Sequence, residues 1–264
     1  MTPAVTTDPV LEVDDVSVVI SGRRVLDGVS FAVRPGEFVG LIGSNGAGKT
    51  TLLRVLLGLQ RESSGSVRIA GEGSARRVGY LPQKVQLDPD LPLRARDVVA
   101  LGLDGAKLGI PLPSARRRTL VDEVLEAVGA TDLADARVGL LSGGQQQRIL
   151  IAHAIVSSPS LLLLDEPLAN LDISSAQEIV ELLSRVCRER GIAVLLSAHD
   201  LNPLLPVMDR IVYLAEGHAI TGKTDDVVQS DVLTRLYGRR VDVIRVEGRV
   251  LVVAGPDENH GHDR

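Results

Sequence analysis

The sequence predicts an α/β protein: a mostly parallel sheet flanked by helices, an N-terminal antiparallel β subdomain, and an inserted α-helical subdomain. Three observations lead there. Leu11 to Ile20 and Val25 to Val33 alternate apolar with polar residues on either side of "SGRR", as the strands of a half-solvated antiparallel sheet do. Phe38 to Ile42, Leu161 to Leu164, Ile192 to Leu196 and Ile211 to Leu214 are instead continuous apolar runs separated by helical segments, the pattern of parallel strands covered on both faces. Between Lys84 and Arg137 the character changes again. Pro89, Pro92, Pro111 and Pro113 punctuate this stretch, and "SARRRTLVDEVLEAVG" has the period of an amphipathic helix closing at Gly129.

These elements divide the chain into a main domain over 1–241, with the helical subdomain at about 84–158, and a C-terminal piece over 242–264. In that piece "VDVIRVEGRVLVVAG" reads as a hairpin turning at Glu247 and Gly248, and "PDENHGHDR" as a disordered tail. His260 and His262 stand in this tail, where two histidines on a mobile end make a weak metal site, so a solvated role is expected. From Ile173 onward, Ala176, Ile179, Val180, Leu183, Val186 and Cys187 form one apolar helical stripe, which makes Cys187 a core residue rather than a reactive thiol.

Composition narrows the function classes. The chain has 264 residues and a net charge of -5, from 34 acidic and 29 basic side chains, and its lysines and arginines are scattered. Nucleic acid is therefore not expected as a partner. The mean hydropathy is slightly positive, but the apolar runs are too short to span a bilayer. Residues 1–10 are polar and threonine-rich, unlike a signal peptide, and the single cysteine suits a reducing cytosol.

"GSNGAGKTT", Gly43 to Thr51, fits G-x-x-x-x-G-K-T and stands between a predicted strand and a predicted helix, the context this motif requires. Gly43, Ser44, Asn45, Gly46, Ala47 and Gly48 offer a loop that can wrap a polyphosphate with backbone N–H groups, at a helix start that favours anions. Lys49 is placed for the β and γ phosphates, Thr50 for Mg²⁺, and Thr51 completes the loop. This makes the α/β core a P-loop NTPase core.

"LLLLDEP" adds two carboxylates after a buried strand: Asp165 to hold the magnesium and Glu166 to polarise an attacking water. By itself such a pair is often a solvated turn; beside the phosphate loop it reads as functional. "LSGGQQQR" supplies a second anion-binding helix tip, with Ser142 as N-cap and Gly143 and Gly144 baring their N–H groups ahead of Gln145.

In this order the elements resemble the nucleotide-binding subunit of an ATP-binding cassette (ABC) transporter, from about Leu11 to Tyr237. The resemblance implies an ATPase that uses ATP and Mg²⁺, and two cassettes, as a homodimer, paired head to tail. Ser142 and Gly144 of one copy then meet the γ-phosphate held by Lys49 of the other, with Gly143 and Gln145 beside them. Gln83 in "GYLPQK" resembles the glutamine that contacts magnesium or the lytic water. His199 in "LLSAHDL" resembles the histidine that steadies the γ-phosphate and the catalytic glutamate. Asp172 in "ANLD" resembles an aspartate that communicates across the dimer, and equally suits the N-cap of the helix from Ile173. The position where many cassettes stack an aromatic ring on adenine falls on Ile20, which covers a base face without the stacking gain of roughly 1–3 kcal/mol.

A separate integral membrane permease is implied, with an extracytoplasmic substrate-binding protein acting on it indirectly and this chain peripheral on the cytoplasmic face. Leu87, Leu91 and Leu93 either dock the permease or anchor the helical insertion to its own core. "DLPLRARDVVALG", "ANLDI" and the segment from His199 to Gly222 resemble cassettes of zinc or manganese importers, and more distantly those of iron-chelate importers. A soluble ABC ATPase without a transport partner is the alternative.

Overall fold

The computed structural model describes residues 8–70, 78–83, 85, 88, 90, 92–103, 114–237, 240–246 and 249–254. In chain order its strands are β1 (Leu11–Ile20), β2 (Arg23–Val33), β3 (Phe38–Gly43), β4 (Ser64–Ile69), β5 (Val78–Leu81), β6 (Leu161–Asp165), β7 (Ala193–Ala198), β8 (Arg210–Ala215), β9 (His218–Lys223), β10 (Val241–Val246) and β11 (Arg249–Ala254). The helices are α1 (Lys49–Leu56), α2 (Ala95–Leu101), α3 (Ala115–Ala127), α4 (Gly143–Ile155), α5 (Ile173–Arg190), α6 (Thr224–Val227) and α7 (Ser230–Tyr237).

The chain forms two compact units. One comprises Met1–Glu12, Ala32–Glu37 and Arg68–Leu196, the other Val13–Phe31, Phe38–Val67 and Ser197–Arg264. In the first unit β5 and β6 run parallel, with Val78 opposite Leu161 and Leu81 opposite Leu164. β6 is fully buried, as a run of four leucines between layers must be. Three helices of the insertion gather in this unit. α2 lies so close to α4 that a Cβ on Gly102 would stand 2.2 Å from the carbonyl oxygen of His153, and His153 Nδ1 is 2.9 Å from the carbonyl oxygen of Val98. Ser114 caps α3, and Gly129 closes its end with φ 65, the closure expected from the sequence. α5 buries Ile179, Val180, Leu183, Val186 and Cys187, so the cysteine is a core residue.

In the second unit β3 and β8 are parallel over Val39–Gly43 and Arg210–Leu214, and β9 pairs antiparallel with β8. β1, β2 and β4 make the antiparallel sheet, in the order β2-β1-β4. The connection between β1 and β2 is tighter than "SGRR" suggested: Arg23 and Arg24 are strand residues, and the turn is Ser21 and Gly22, with φ 49 and 78. Two positive φ values in a two-residue loop match the right-handed twist of the flanking strands.

The expected hairpin is present as β10 and β11, paired from Val241 with Ala254 to Val246 with Arg249. Its turn at Glu247 and Gly248, the tail histidines His260 and His262, and Leu87 and Leu91 lie outside the described residues. Leu93 is half-buried. Among the described residues, no helix is long and apolar enough to cross a membrane.

Candidate nucleotide-binding site

The register of β5 and β6 brings together the first group of candidate residues. Leu81 stands opposite Leu164, and two residues after each, just past the ends of the two strands, come Gln83 and Glu166. Parallel strands advance in step, so these two side chains emerge side by side at the carboxyl edge of the sheet, where open α/β sheets place their ligands. Gln83 Nε2 donates to Glu166 Oε2 at 2.7 Å. Asp165, the last residue of β6, is 3% exposed and half-buried Glu166 follows it. The backbone of Glu166 lies in the left-handed region at φ 50. For a residue with a Cβ this costs about 1–2 kcal/mol, and such strain gathers where a side chain must be aimed. Sequence reasoning did not foresee it.

Ser142 is the N-cap of α4, as expected. Its Oγ accepts from the Gln145 N–H at 3.4 Å, and Gln145 Oε1 accepts from the Ser142 N–H at 2.9 Å, a reciprocal capping box. Gln146 Nε2 donates to the carbonyls of Val138 and Leu141, at 3.2 and 3.1 Å, which fixes the chain entering the helix. Arg148 pairs with Glu178 of α5 and donates to the carbonyl of Val128.

Gly144 has a second reason to be there. A Cβ on Gly144 would stand 3.2 Å from Ser175 Oγ and 3.3 Å from Ser175 Cβ, so its absence lets α5 pack against the tip of α4. Ser175 is itself pinned: its N–H and Oγ both donate to Asp172, at 2.9 and 2.6 Å. Asp172 is therefore the N-cap of α5, and the hydroxyl bond from Ser175, followed by the bond from the Ser175 N–H, lowers its pKa.

The phosphate loop belongs to the second unit. It leaves β3 at Gly43, and α1 starts at Lys49, so the strand-loop-helix arrangement expected of residues 43–51 is present. Gly48 has φ 103, and a Cβ there would meet Leu26 Cδ2 at 2.8 Å; only glycine fits. Ser44, Asn45 and Gly46 are exposed at the tip, Ala47 is buried, Thr50 is exposed and Thr51 is half-buried. Lys49 is 6% exposed, and its Nζ donates to the carbonyls of Gly43 at 2.7 Å and Ser44 at 3.2 Å. The loop thus holds the ammonium by its own carbonyl oxygens, desolvated and at a fixed place. His199 is exposed, one residue past the end of β7, and Ile20 is 41% exposed at the end of β1.

The ABC transporter family profile matches residues 26–169, more than half of the chain. The chain belongs to the ABC transporter family. It is an ATP-binding cassette, an ATPase, and the loop at Gly43 to Thr51, the strand end at Asp165 and the helix tip at Ser142 all fall within the matched span. The cassette is 34% identical over 259 residues to a zinc import ATP-binding protein of Pseudomonas syringae, an alignment covering 97% of this chain and 90% of that one. Among solved structures, the cassette superposes on one of a metal-chelate type ABC transporter in an inward-facing conformation with a TM-score of 0.83. That match has 24% identity and covers 96% of this chain and 99% of the other. It also matches a dimeric bacterial ABC transporter cassette, with a TM-score of 0.67, 28% identity, and 81% and 98% of the two chains covered.

Proposed function

We propose that this cassette powers zinc import through a separate membrane permease, working as a head-to-tail pair of identical copies on the cytoplasmic face, with an extracytoplasmic binding protein delivering the ion. Zinc is favoured over manganese or an iron chelate because the zinc import relative aligns with nearly the whole chain. The dimeric cassette supports the pairing.

Each residue then has a task. Lys49 and the N–H groups of residues 43–51 hold the ATP phosphates, and Ile20 covers the adenine. Thr50, Asp165 and Gln83 offer a hydroxyl, a carboxylate and an amide oxygen, hard donors of the kind Mg²⁺ prefers, so the donor set fits that ion. Magnesium bound there would neutralise phosphate charge. Glu166 takes the proton of the attacking water. His199 steadies the γ-phosphate. Ser142, Gly143, Gly144 and Gln145 of the second copy complete the phosphate cage.

The observation that carries the hydrolytic assignment is the Gln83–Glu166 bond. One carboxylate oxygen accepts from an amide donor, which orients the group for the role of base. Uptake of radiolabelled zinc by vesicles holding this cassette and its permease tests the transport reading. ATP-dependent zinc accumulation that Lys49→Ala abolishes is expected, whereas accumulation of manganese in preference to zinc would overturn the substrate.

A further inference from the structure

The turn that carries His199 is tied to the far end of the chain. Asp200 Oδ1 accepts from the Asn202 N–H at 3.0 Å and from Asn202 Nδ2 at 3.1 Å, an Asx turn directly after the histidine. Asn202 also engages both backbone polar groups of one residue of β11. Its Oδ1 accepts from the Val252 N–H at 2.8 Å, and its Nδ2 donates to the Val252 carbonyl at 3.1 Å.

The register explains why Val252 offers both groups. Val252 stands opposite Val243, and the Val243 N–H donates to Ser230 Oγ at 2.9 Å rather than across the ladder. This is a non-hydrogen-bonded pair, whose N–H and C=O groups face away from the partner strand. Ser230 therefore satisfies the outer edge of β10, and Asn202 does the same for β11. On the other side of Asn202 the turn is anchored by Leu201 and Leu204, which are 2% and 0% exposed. A single amide thus joins an Asx turn anchored by two buried leucines to a strand edge.

We propose that Asn202 is a positioning residue for His199, and that the C-terminal hairpin takes part in ATP hydrolysis by holding the Asn202 amide through Val252. This rests on the reading of the chain as an ATPase that uses His199. The hairpin acts on the histidine only through that clamp, so breaking the clamp from either side has the same effect. Asn202→Ala breaks it beside His199. Val252→Pro breaks it from the hairpin, removing an N–H that the β10–β11 ladder does not use and that an edge strand can spare.

ATP turnover is measured for both single variants and for the double variant, with His199→Ala as reference and circular dichroism as the control for folding. Each single variant is expected to lower kcat on the order of tenfold, the scale of a slightly misplaced group, with KM for ATP unchanged. The double variant is expected to be no slower than the slower single, the mark of one shared interaction. Wild-type kcat in both singles, or a loss in Asn202→Ala alone, overturns the proposal while His199→Ala still abolishes turnover. Should Val252→Pro fail to fold, Asn202→Asp carries the test. It keeps an oxygen towards the Val252 N–H but sets a carboxylate against Asp200 and the Val252 carbonyl, so the same kcat loss is expected and wild-type turnover overturns the idea. If His199→Ala hydrolyses ATP as fast as the wild type, the underlying ATPase assignment of that histidine fails first, a result distinct from failure of the clamp.

Discussion

Gln83 Nε2 and Glu166 Oε2 are joined at 2.7 Å because Leu81 and Leu164 are register partners two residues earlier on parallel strands. The bond holds the carboxylate that follows Asp165 in one rotamer. Removing the amide takes away one of the bonds that orient the proposed base. Gln83→Ala should lower kcat by roughly tenfold with nucleotide affinity in the absence of magnesium unchanged, since the orientation of the proposed base and one proposed magnesium donor are lost while the phosphate contacts remain. Steady-state kinetics beside nucleotide-binding titration separates the two.

The left-handed backbone at Glu166, φ 50, places strain at the proposed base. Asparagine tolerates this region better than alanine does. Glu166→Asn should therefore be more stable than Glu166→Ala by about 1 kcal/mol, and both should lose hydrolysis. Urea denaturation of the two variants checks the order.

Gly144 begins α4 in close contact with Ser175, which cannot turn aside while both its donors are bonded to Asp172. Alanine in an exposed helix is worth about 1 kcal/mol over glycine. Here that gain should be cancelled, and Gly144→Ala should leave the protein no more stable than the wild type. A thermal melt decides.

Asp172 has its pKa lowered in the folded chain by the Ser175 hydroxyl and then by the Ser175 N–H. A depressed folded pKa means that the folded state binds fewer protons than the unfolded one. The stabilisation is complete above the ordinary aspartate pKa and disappears as the pH falls through the lowered value. Asp172→Asn should accordingly flatten the acid limb of the stability curve, read from denaturation midpoints across that range.

Much of this was legible in the sequence because the signals were local. The loop at Gly43 to Thr51 is one continuous motif, and the leucines of β6 announce a strand buried on both faces. Ser142 and Asp172 are capping residues that read as such from their neighbours. What escaped was non-local or solvent-facing. β4 and β9 are mostly exposed, so they carry no apolar period, and β5 is only four residues long. The pairing of Gln83 with Glu166 depends on strand register across 83 residues of chain. The fit of Gly144 against Ser175 depends on how two helices pack, and a glycine after a capping serine looks the same with or without a neighbour.

Turnover of Glu166→Gln, with bound ATP quantified in the same sample, tests the central assignment most directly. Glutamine keeps the shape but cannot accept the proton of water, so ATP should remain bound while hydrolysis falls by roughly 100-fold or more. Undiminished hydrolysis would contradict the assignment of Glu166 as the base.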